Sequence, residues 1–454
     1  MKKAIIIFGS TGNLMFKKLI PALDKLIHKG LVDDDFRIFA ISRRDNTKDD
    51  YIEMAKKQVK EHIDWDRFKR YLEYVIFDVN QTSDYVTLKE NLNKDGYNDI
   101  SVYLAVPPSL FPIISKGVSE SKLIEKKDQN KRIVFEKPFG EDLESAKDIN
   151  RGLWKCFNEN QIYRIDHYLG KEMIQNILVV RFANIVFEHA WNNQAIRSIT
   201  ILSKESEGVL SRGDYYDKIG ALKDMLQSHL LQMAALILMD KPKDFGSEAI
   251  KDAKVKALSN MVFDKDKLIL GQYKGYKDSK NVDKDSKTET FVYAEARVDQ
   301  DTWKDVPIHF VTGKNLDEKR SEIIIHFHEK NELGQYFPKL KPQEDKLIIK
   351  VSPTEGVEFQ FSVKEPGLSN NIKQASLDYC HNCKAMENTP EAYERLLVEL
   401  LNNQRTLFTR WDEIETTWKL IEELKAYRKT PNLYENYHDV LNLLEKKGVK
   451  VNDL

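Results

Sequence analysis

The first third of the chain alternates short apolar runs with segments whose apolar residues recur at helical spacing. The runs, rich in isoleucine, valine and phenylalanine, predict strands at residues 4–8, 36–41, 72–77, 101–105 and 132–135. The amphipathic segments predict helices at residues 14–29, 51–61, 85–92, 113–121 and 143–157. Such alternation is typical of a parallel sheet with right-handed crossovers. We therefore predict an α/β domain over residues 1–163.

The pattern changes after residue 163. Helical spacing recurs at residues 171–182, 221–239, 391–402 and 410–428, and alternating strand patterns lie at residues 196–202, 288–298, 308–311, 323–328, 346–351 and 358–363. We predict a loop-rich excursion at residues 264–287 and a charged end at 441–454. Strands joined by short connections favour an α+β domain with a large, mainly antiparallel sheet over residues 164–454.

Composition and charge narrow the possible partners. The chain has 454 residues, 41% hydrophobic and 31% charged, as in an ordinary globular protein with two domains. Lys plus Arg (71) nearly balances Asp plus Glu (72), so no net field favours nucleic acid or an anionic membrane. No apolar run is long enough for a signal h-region or a membrane span. Any anion site is therefore expected to be local.

Three cysteines, Cys156, Cys380 and Cys383, are too few for a disulfide framework in a chain of this length. A reducing cytoplasm is the expected compartment. The segment 380–383, CHNC, has redox or zinc spacing, but it lies away from a βαβ unit and lacks the further ligands of a zinc site. We predict a loop there and no metal site.

The stretch 164–172, RIDHYLGKE, has the greatest concentration of reactive side chains. His167, Tyr168 and Lys171 present an imidazole, a phenol and an ammonium, which together suit an anionic group such as a phosphate. Asp166 would repel an anion and is better suited to orienting a histidine. The alternative is a solvated charged turn with His167 and Tyr168 packed at a domain junction.

A glycine-containing loop follows the first predicted strand and opens the first predicted helix. Backbone N–H groups and the helix dipole would meet a pyrophosphate at this position, which makes the first domain a candidate dinucleotide-binding (Rossmann) domain. The loop spacing is not a complete G-x-G-x-x-G. Its residues are Gly9, Ser10, Thr11, Gly12, Asn13 and Leu14.

Two further predicted strand ends carry candidate cofactor and substrate groups. The second strand ends near Arg43, and an arginine there suits the 2′-phosphate of NADP, whereas Asp45 would suit the ribose of NAD. Val106 and Pro107 follow another strand at the edge where open α/β folds bind ligands. Lys137 precedes a proline, which favours an extended backbone with the ammonium in the crevice, the alternative being a surface lysine beside a turn.

These segments together resemble the glucose-6-phosphate dehydrogenase family, and the resemblance covers nearly the whole chain. Its most specific element is RIDHYLGK at 164–171. Other matching segments are GSTGNLMFKKLIPAL at 9–23, ISRR at 41–44, LAVPP at 104–108, EKPFG at 136–140, SKESEGV at 203–209, RGDYYDKIGALKDMLQSHLLQM at 212–233, VPIHFVTGK at 306–314 and PEAYERLL at 390–397.

The resemblance implies oxidation of glucose 6-phosphate at C1 with hydride transfer to NADP. It implies that His229 is the general base, that Asp166 orients it, and that the phosphate binds to His167, Tyr168 and Lys171. The remaining implied substrate residues are Lys137, Glu205, Asp224, Lys314 and Lys319, of which Lys137 also touches the cofactor. A homodimer or a dimer of dimers is the implied assembly.

Departures from the family pattern leave some points open. Asn13 stands where the family usually has aspartate, so the choice between NADP and NAD is not fixed. One alternative is a glucose-fructose oxidoreductase-like sugar dehydrogenase, which would explain Lys137 but not the phosphate-binding group. Another is a homologue that binds NAD(P) with impaired catalysis.

Overall fold

The computed structural model describes residues 1–329, 344–368, 371–381, 391–427 and 429–451. Within these ranges the strands are β1 Lys2–Phe8, β2 Arg37–Ser42, β3 Leu72–Ile76, β4 Tyr97–Leu104, β5 Lys131–Phe135, β6 Ile162–Ile165, β7 Ile196–Lys204, β8 Met261–Tyr273, β9 Phe291–Val298, β10 Ile308–Gly313, β11 Arg320–Phe327, β12 Lys346–Ser352, β13 Gly356–Lys364, β14 Ile372–Cys380, β15 Phe408–Thr409 and β16 Asn432–Tyr434. The α-helices are α1 Ile20–His28, α2 Lys48–Gln58, α3 Trp65–Tyr71, α4 Thr82–Lys94, α5 Phe111–Glu120, α6 Leu143–Cys156, α7 Glu172–Phe182, α8 Ile185–Ala190, α9 Gly213–Ala221, α10 Leu231–Leu238, α11 Ser247–Ser259, α12 Ala392–Leu401, α13 Trp411–Lys425 and α14 Tyr437–Lys446. Two π-helical segments, Met15–Leu19 and Leu222–Leu230, precede α1 and α10.

The described residues form two compact units. Residues 1–170, 245–251 and 391–415 make up the first, and the remaining described residues make up the second. Strand β6 continues the first unit's sheet across the predicted boundary between residues 163 and 164. The division of the chain into functional domains at that boundary stays a prediction. Helix α12 belongs to the first unit although it lies far along the chain.

The first unit is built on a seven-stranded sheet in the order β15-β6-β5-β4-β1-β2-β3. All its pairings are parallel except that of β15 with β6. Parallel strands covered on both faces are apolar throughout, and β1 contains three consecutive buried isoleucines. The predicted Rossmann-type α/β architecture is confirmed.

Hydrogen bonds of nearby side chains determine where helix α2 begins, and ion pairs fix helix α12. Thr47 caps α2, because its side chain accepts from the backbone N–H of Asp50 while the Asp50 carboxylate accepts from the N–H of Thr47. Helix α12 packs against α1. The buried Glu394 of α12 pairs with Lys25 and Lys29, which fixes this contact between distant parts of the chain.

The second unit is built on a nine-stranded sheet in the order β14-β13-β12-β11-β7-β10-β9-β8-β16. Its pairings are antiparallel except those of β7 with β10 and of β8 with β16. The π-helix Leu222–Leu230 lies against β7 and β10. The predicted α+β domain with a mainly antiparallel sheet is confirmed.

Two strands contradict the sequence predictions. The predicted loop-rich excursion at 264–287 is wrong in its first part, because β8 runs to Tyr273. The polar residues 264–267 lie where the pairing of β8 with β9 is irregular, so their charge conceals the strand. Cys380 is the last residue of β14 rather than part of a loop, and Cys383 lies outside the described residues.

Several helices were also not predicted. They include α3, α8, α9 and α11, and the predicted charged end at 441–454 begins inside α14. Their apolar stripes are short or broken by polar residues, which weakens the periodic signal. Across the described part of the chain, no helix has both the length and the apolar character that a bilayer crossing would require.

Candidate active site

The loop after β1 crosses closely beneath the loop after β4. Gly9 has a φ of +83°, and a Cβ atom on it would lie 2.2 Å from the carbonyl oxygen of Ala105 and 2.9 Å from Cγ1 of Val106. Only glycine fits such a position without displacing the neighbouring backbone. The N–H of Gly12 donates to the carbonyl oxygen of Gly9 and closes the turn that leads into the π-helix Met15–Leu19.

Ser10 is buried within this loop, and its polar groups bond inside the protein. Its hydroxyl donates to the carbonyl oxygen of Ile41 at 2.8 Å, and its own carbonyl oxygen accepts from the Tyr51 hydroxyl at 2.8 Å. Burial raises the pKa of Tyr51 far above its ordinary value, so the phenol remains a donor. Ser10 thus shapes the loop. Its predicted contact with a cofactor stays a prediction.

Arg43 and Arg44 leave the carboxyl end of β2 beside the glycine loop, since Phe8 pairs with Ile41 in the sheet. The guanidinium of Arg44 lies 3.5 Å from Sδ of Met54, and its carbonyl oxygen accepts from Tyr74. Arg43 is exposed. An exposed guanidinium at this edge is available to an anionic ligand.

Lys137 follows β5, the neighbour of β4 in the sheet. Leu104 pairs with Phe135, so the segments containing Val106 and Lys137 leave the sheet side by side. The peptide bond between Lys137 and Pro138 is cis. The residues predicted for the cofactor, together with Lys137, therefore follow the carboxyl ends of four adjacent parallel strands, where open α/β sheets bind ligands.

Asp166 lies just beyond β6, the next strand of the same sheet edge. It is buried, and its Oδ1 accepts from the backbone N–H of Tyr168 at 2.9 Å. The ring centroids of His167 and Tyr168 are 5.0 Å apart. The burial of Asp166 contradicts the alternative of a solvated charged turn at that residue, whereas a packed Tyr168 was expected from either interpretation.

Two residues, Arg164 and Gly170, hold this turn in the first unit. The guanidinium of Arg164 is buried, donates to Glu159 and to Asn150 at 2.6 Å each, and lies 4.8 Å from the centre of the Phe139 ring. A Cβ atom on Gly170 would lie 2.6 Å from the carbonyl oxygen of Ala392, so α12 packs directly on the end of the turn. The position of Asp166 thus depends on residues remote from it in sequence.

Glu136 is a polar residue of this edge that the sequence predictions missed. Its carboxylate accepts from the hydroxyl groups of Tyr103 and Tyr393 and from the backbone N–H of Lys137. Burial raises the pKa of Glu136 to about 7, and the three donors oppose that shift. The available signals were its place directly before Lys137 and the tyrosine in the PEAYERLL segment.

In the second unit, Asp224 and His229 lie on one π-helix, Leu222–Leu230, and both are buried. In an α-helix, residues five apart point about 140° away from each other. A helix with i→i+5 hydrogen bonds brings such residues towards a common face, and π-helical turns are frequent at functional sites. A local backbone feature that spacing alone does not reveal thus turns the two predicted residues towards a common face.

The start of this π-helix is fixed by Glu289. Its carboxylate accepts from the N–H of Leu222 at 3.2 Å, and its carbonyl oxygen accepts from the N–H of Ala221 at 3.1 Å. Gly220, just before, has φ 68° and ψ 173°, a conformation essentially restricted to glycine. A Cβ atom there would lie 2.4 Å from Oε1 of Glu289.

A cavity of about 410 Å³ in the second unit contains three of the predicted substrate residues, Glu205, Lys314 and Lys319. Lys314 is buried, pairs with Glu205, and lies 5.1 Å from the centre of the Tyr216 ring. Lys319 is exposed at the cavity. Because acidic and basic side chains both line the cavity, it suits a ligand rich in hydroxyl groups.

Tyr215 and Tyr216 are further residues that the sequence predictions missed. The hydroxyl of Tyr215 donates to the Asp224 carboxylate, and burial followed by the charge of Asp224 raises the pKa of both phenols. Tyr216 also lines the cavity. The YY pair in the RGDYYDKIG segment was the available signal. Tyr215 therefore bonds to Asp224, and Tyr216 lies at the cavity that contains Glu205.

Lys171, also in the second unit, is the residue directly before α7 rather than part of its first turn. Burial raises the pKa of the Glu355 carboxyl, and the charges of His381 and Lys171 oppose this shift.

Each predicted site residue lies in one of two groups. One follows strand ends of the first unit, and the other lies on the π-helix, at the cavity or at the start of α7.

Comparisons with known proteins are consistent along the chain. Residues 6–176 match the family model "Glucose-6-phosphate dehydrogenase, NAD binding domain", and residues 178–441 match "Glucose-6-phosphate dehydrogenase, C-terminal domain". A glucose-6-phosphate 1-dehydrogenase of Bacillus subtilis (strain 168) is 37% identical over 459 residues, covering 96% of this chain and 94% of the relative.

Solved structures give the same result. A structure of glucose-6-phosphate dehydrogenase in complex with its substrate glucose-6-phosphate superposes with a TM-score of 0.91 at 31% identity, over 100% of this chain and 99% of that one. A glucose-6-phosphate 1-dehydrogenase from Mycobacterium avium superposes with a TM-score of 0.87 at 32% identity, over 96% of this chain and 94% of the other. The similarity extends across both halves of the chain.

Proposed function

The chain belongs to the glucose-6-phosphate dehydrogenase family, and on this premise we propose which residues carry out its reaction. The enzyme oxidises D-glucose 6-phosphate at C1 to 6-phospho-D-glucono-1,5-lactone with hydride transfer to NADP, the first step of the oxidative pentose phosphate pathway. This reaction replaces the alternative of a glucose-fructose oxidoreductase-like sugar dehydrogenase. The observation that carries the residue assignment is the π-helix that brings Asp224 and His229 towards one face.

His229 acts as the general base. Oxidation of a hydroxyl group needs an acceptor for the hydroxyl proton, and an imidazole is suited to this near neutral pH. The proton of the C1 hydroxyl passes to a ring nitrogen of His229 as hydride leaves C1. Asp166 orients this imidazole and stabilises its protonated form. The burial of both side chains supports these roles, because a low dielectric strengthens their electrostatic effects.

NADP supplies the hydride acceptor. The loop of residues 9–14 would hold its pyrophosphate. Gly9 lets this loop pass close to Ala105, because it has no Cβ atom, and the loop leads into a helix whose N-terminal N–H groups favour an anion. Arg43 would pair with the 2′-phosphate. Val106, Pro107 and Lys137 would line the side of the cofactor nearest the substrate. The chemistry of these groups fits a dinucleotide phosphate.

Glucose 6-phosphate is bound by two kinds of groups. His167, Tyr168 and Lys171 bind the phosphate through charge and hydrogen bonds. The sugar hydroxyl groups bind to Glu205, Asp224, Lys314 and Lys319, with Lys137 reaching both substrate and cofactor. The cavity of the second unit supports this assignment, because it combines carboxylates with ammonium groups.

The proposed phosphate contact of Lys171 predicts a selective loss in Lys171→Ala. Removing a charge-assisted contact should raise KM for glucose 6-phosphate about ten- to a hundredfold and leave kcat within about threefold. Activity on unphosphorylated glucose should be unchanged. Initial-rate assays with both sugars measure this, and Lys284→Ala, an exposed lysine of the same unit, is the control. A fall in kcat alone would contradict phosphate binding.

The role of Arg43 predicts a change in cofactor choice. Arg43→Ala should raise KM for NADP about ten- to a hundredfold and leave KM for NAD nearly unchanged, because only NADP carries the 2′-phosphate. Initial rates with the two cofactors in parallel measure the change, with Arg44→Ala as the neighbouring control. Equal effects on both cofactors would reject the assignment and favour a ribose contact from Asp45.

The assembly and the compartment are part of the proposal. Family membership favours a homodimer or a dimer of dimers, and sedimentation equilibrium that showed only monomer at assay concentration would exclude both. The scarcity of cysteine favours the cytoplasm. Imaging of the tagged full-length chain in its native cell would test that compartment, and a signal outside the cytoplasm would refute it.

A further inference from the structure

The carboxylate of Glu136 is enclosed by donors from three parts of the first unit. The Tyr103 hydroxyl, near the end of β4, donates to its Oε1 at 2.5 Å. The Tyr393 hydroxyl, from α12, and the backbone N–H of Lys137 donate as well. Glu136 thus joins two elements to the strand end that precedes Lys137.

This arrangement needs a carboxylate rather than any polar side chain. In its ionised form the Glu136 carboxylate only accepts hydrogen bonds and offers about four lone-pair positions, so it satisfies two phenols and an amide together, and these three donors favour that form against the effect of burial. A glutamine offers one acceptor oxygen, and its NH₂ group would face a hydroxyl donor. The three elements would then lose part of their common partner.

The surroundings of Glu136 also link it to Asp166. Burial and the Glu136 charge raise the pKa of Tyr393 far above its ordinary value, and Asp166 adds to that shift. Tyr103 responds to burial and to Glu136 in the same direction. Both phenols therefore stay protonated near neutral pH and act as donors. One tyrosine lies near both carboxylates.

We propose that Glu136 is a positioning residue which, held by Tyr103 and Tyr393, fixes the direction in which Lys137 leaves strand β5. Lys137 is expected to touch both substrate and cofactor, so its direction determines how the two are held against each other. Displacements of about 1 Å in such groups cost up to about a hundredfold in rate. This inference rests on the role proposed above for Lys137.

The first experiment compares variants of the full-length enzyme. Glu136→Gln and Tyr393→Phe should each lower kcat for glucose 6-phosphate about ten- to a hundredfold, while Kd for NADP, measured by fluorescence titration, changes less than about threefold. The control is Tyr85→Phe, since Tyr85 is a buried phenol of the same unit that donates to the carbonyl oxygen of Val79 at 3.0 Å. It should lower the melting temperature without changing kcat.

The second experiment is a double-mutant cycle with Lys137→Ala. If Glu136 acts through Lys137, then Glu136→Gln should lower kcat no further once Lys137 is absent. Full additivity of the two losses would overturn the proposal, and so would wild-type kcat in both Glu136→Gln and Tyr393→Phe. Should Glu136→Gln fail to fold, Tyr393→Phe in the same cycle distinguishes the same two outcomes.

The cycle also separates this proposal from the one on which it rests. Full activity of Lys137→Ala would refute the role of Lys137 and, with it, the positioning role of Glu136. Loss of activity in Lys137→Ala with unaffected Glu136→Gln and Tyr393→Phe would refute only the role of Glu136. The remaining result, a loss in each variant without additivity, supports both.

Discussion

Replacement of His229 with asparagine is expected to lower kcat for glucose 6-phosphate oxidation by about 10²–10⁴-fold, the range typical of a lost general base. Asparagine keeps a polar side chain of similar size but cannot accept the C1 hydroxyl proton at neutral pH. KM should change less than about fivefold, because the phosphate and hydroxyl contacts remain. Initial rates of NADPH formation give both constants.

The matched control for this change is His326→Asn. His326 is also a buried histidine of the second unit, where it contacts Thr200 and Glu344. It has no role in the proposed mechanism, so kcat should persist even if the melting temperature falls. Unchanged turnover in His229→Asn would reject His229 as the base, and an equal loss in both variants would point to folding rather than chemistry.

Gly220→Ala is expected to damage both stability and turnover. The backbone conformation of Gly220 costs any other residue about 1–3 kcal/mol. The new methyl group would also displace the Glu289 carboxylate from the first turn of the π-helix, 2.4 Å away, at a further cost of about 1–3 kcal/mol. Because Asp224 and His229 lie on that helix, kcat should fall about ten- to a hundredfold.

Gly275→Ala separates this effect from ordinary backbone strain. Gly275 has a φ of +84° in the same unit, but among the described residues no heavy atom beyond its chain neighbours lies within 4 Å of its Cβ position. It should lower the melting temperature modestly and leave kcat unchanged. Thermal unfolding and initial rates of both variants make the comparison. Equal kcat values for the two alanine variants would contradict a role for the π-helix in placing His229.

Much of the first unit could be predicted because its signals are local. A buried parallel strand is apolar throughout, and the glycine loop that follows it has few conformations available. The residues at which these strands end therefore also indicate the edge of the sheet where ligands bind. Strands such as β8 and β14 were missed because charged residues on an irregular or edge strand carry no alternation.

The candidate site was predicted less completely than the fold. His229 and Asp224 were assigned from the resemblance to the family, since a spacing of five residues predicts different faces of an α-helix. Glu136 was overlooked because its partners Tyr103 and Tyr393 are separated from it by 33 and 257 residues in the sequence. Periodicity does not report such long-range hydrogen bonds.

The amino-acid sequence by itself determined the two kinds of sheet, the glycine loop and the family to which the chain belongs. These follow from short-range preferences and from motifs only a few residues long. Tertiary structure alone decided that the helix of His229 is a π-helix fixed by Glu289, and that α12 returns to the first unit to place Tyr393 on Glu136. Both features depend on buried polar groups finding partners far along the chain, and the cost of leaving such groups unpaired selects the arrangement.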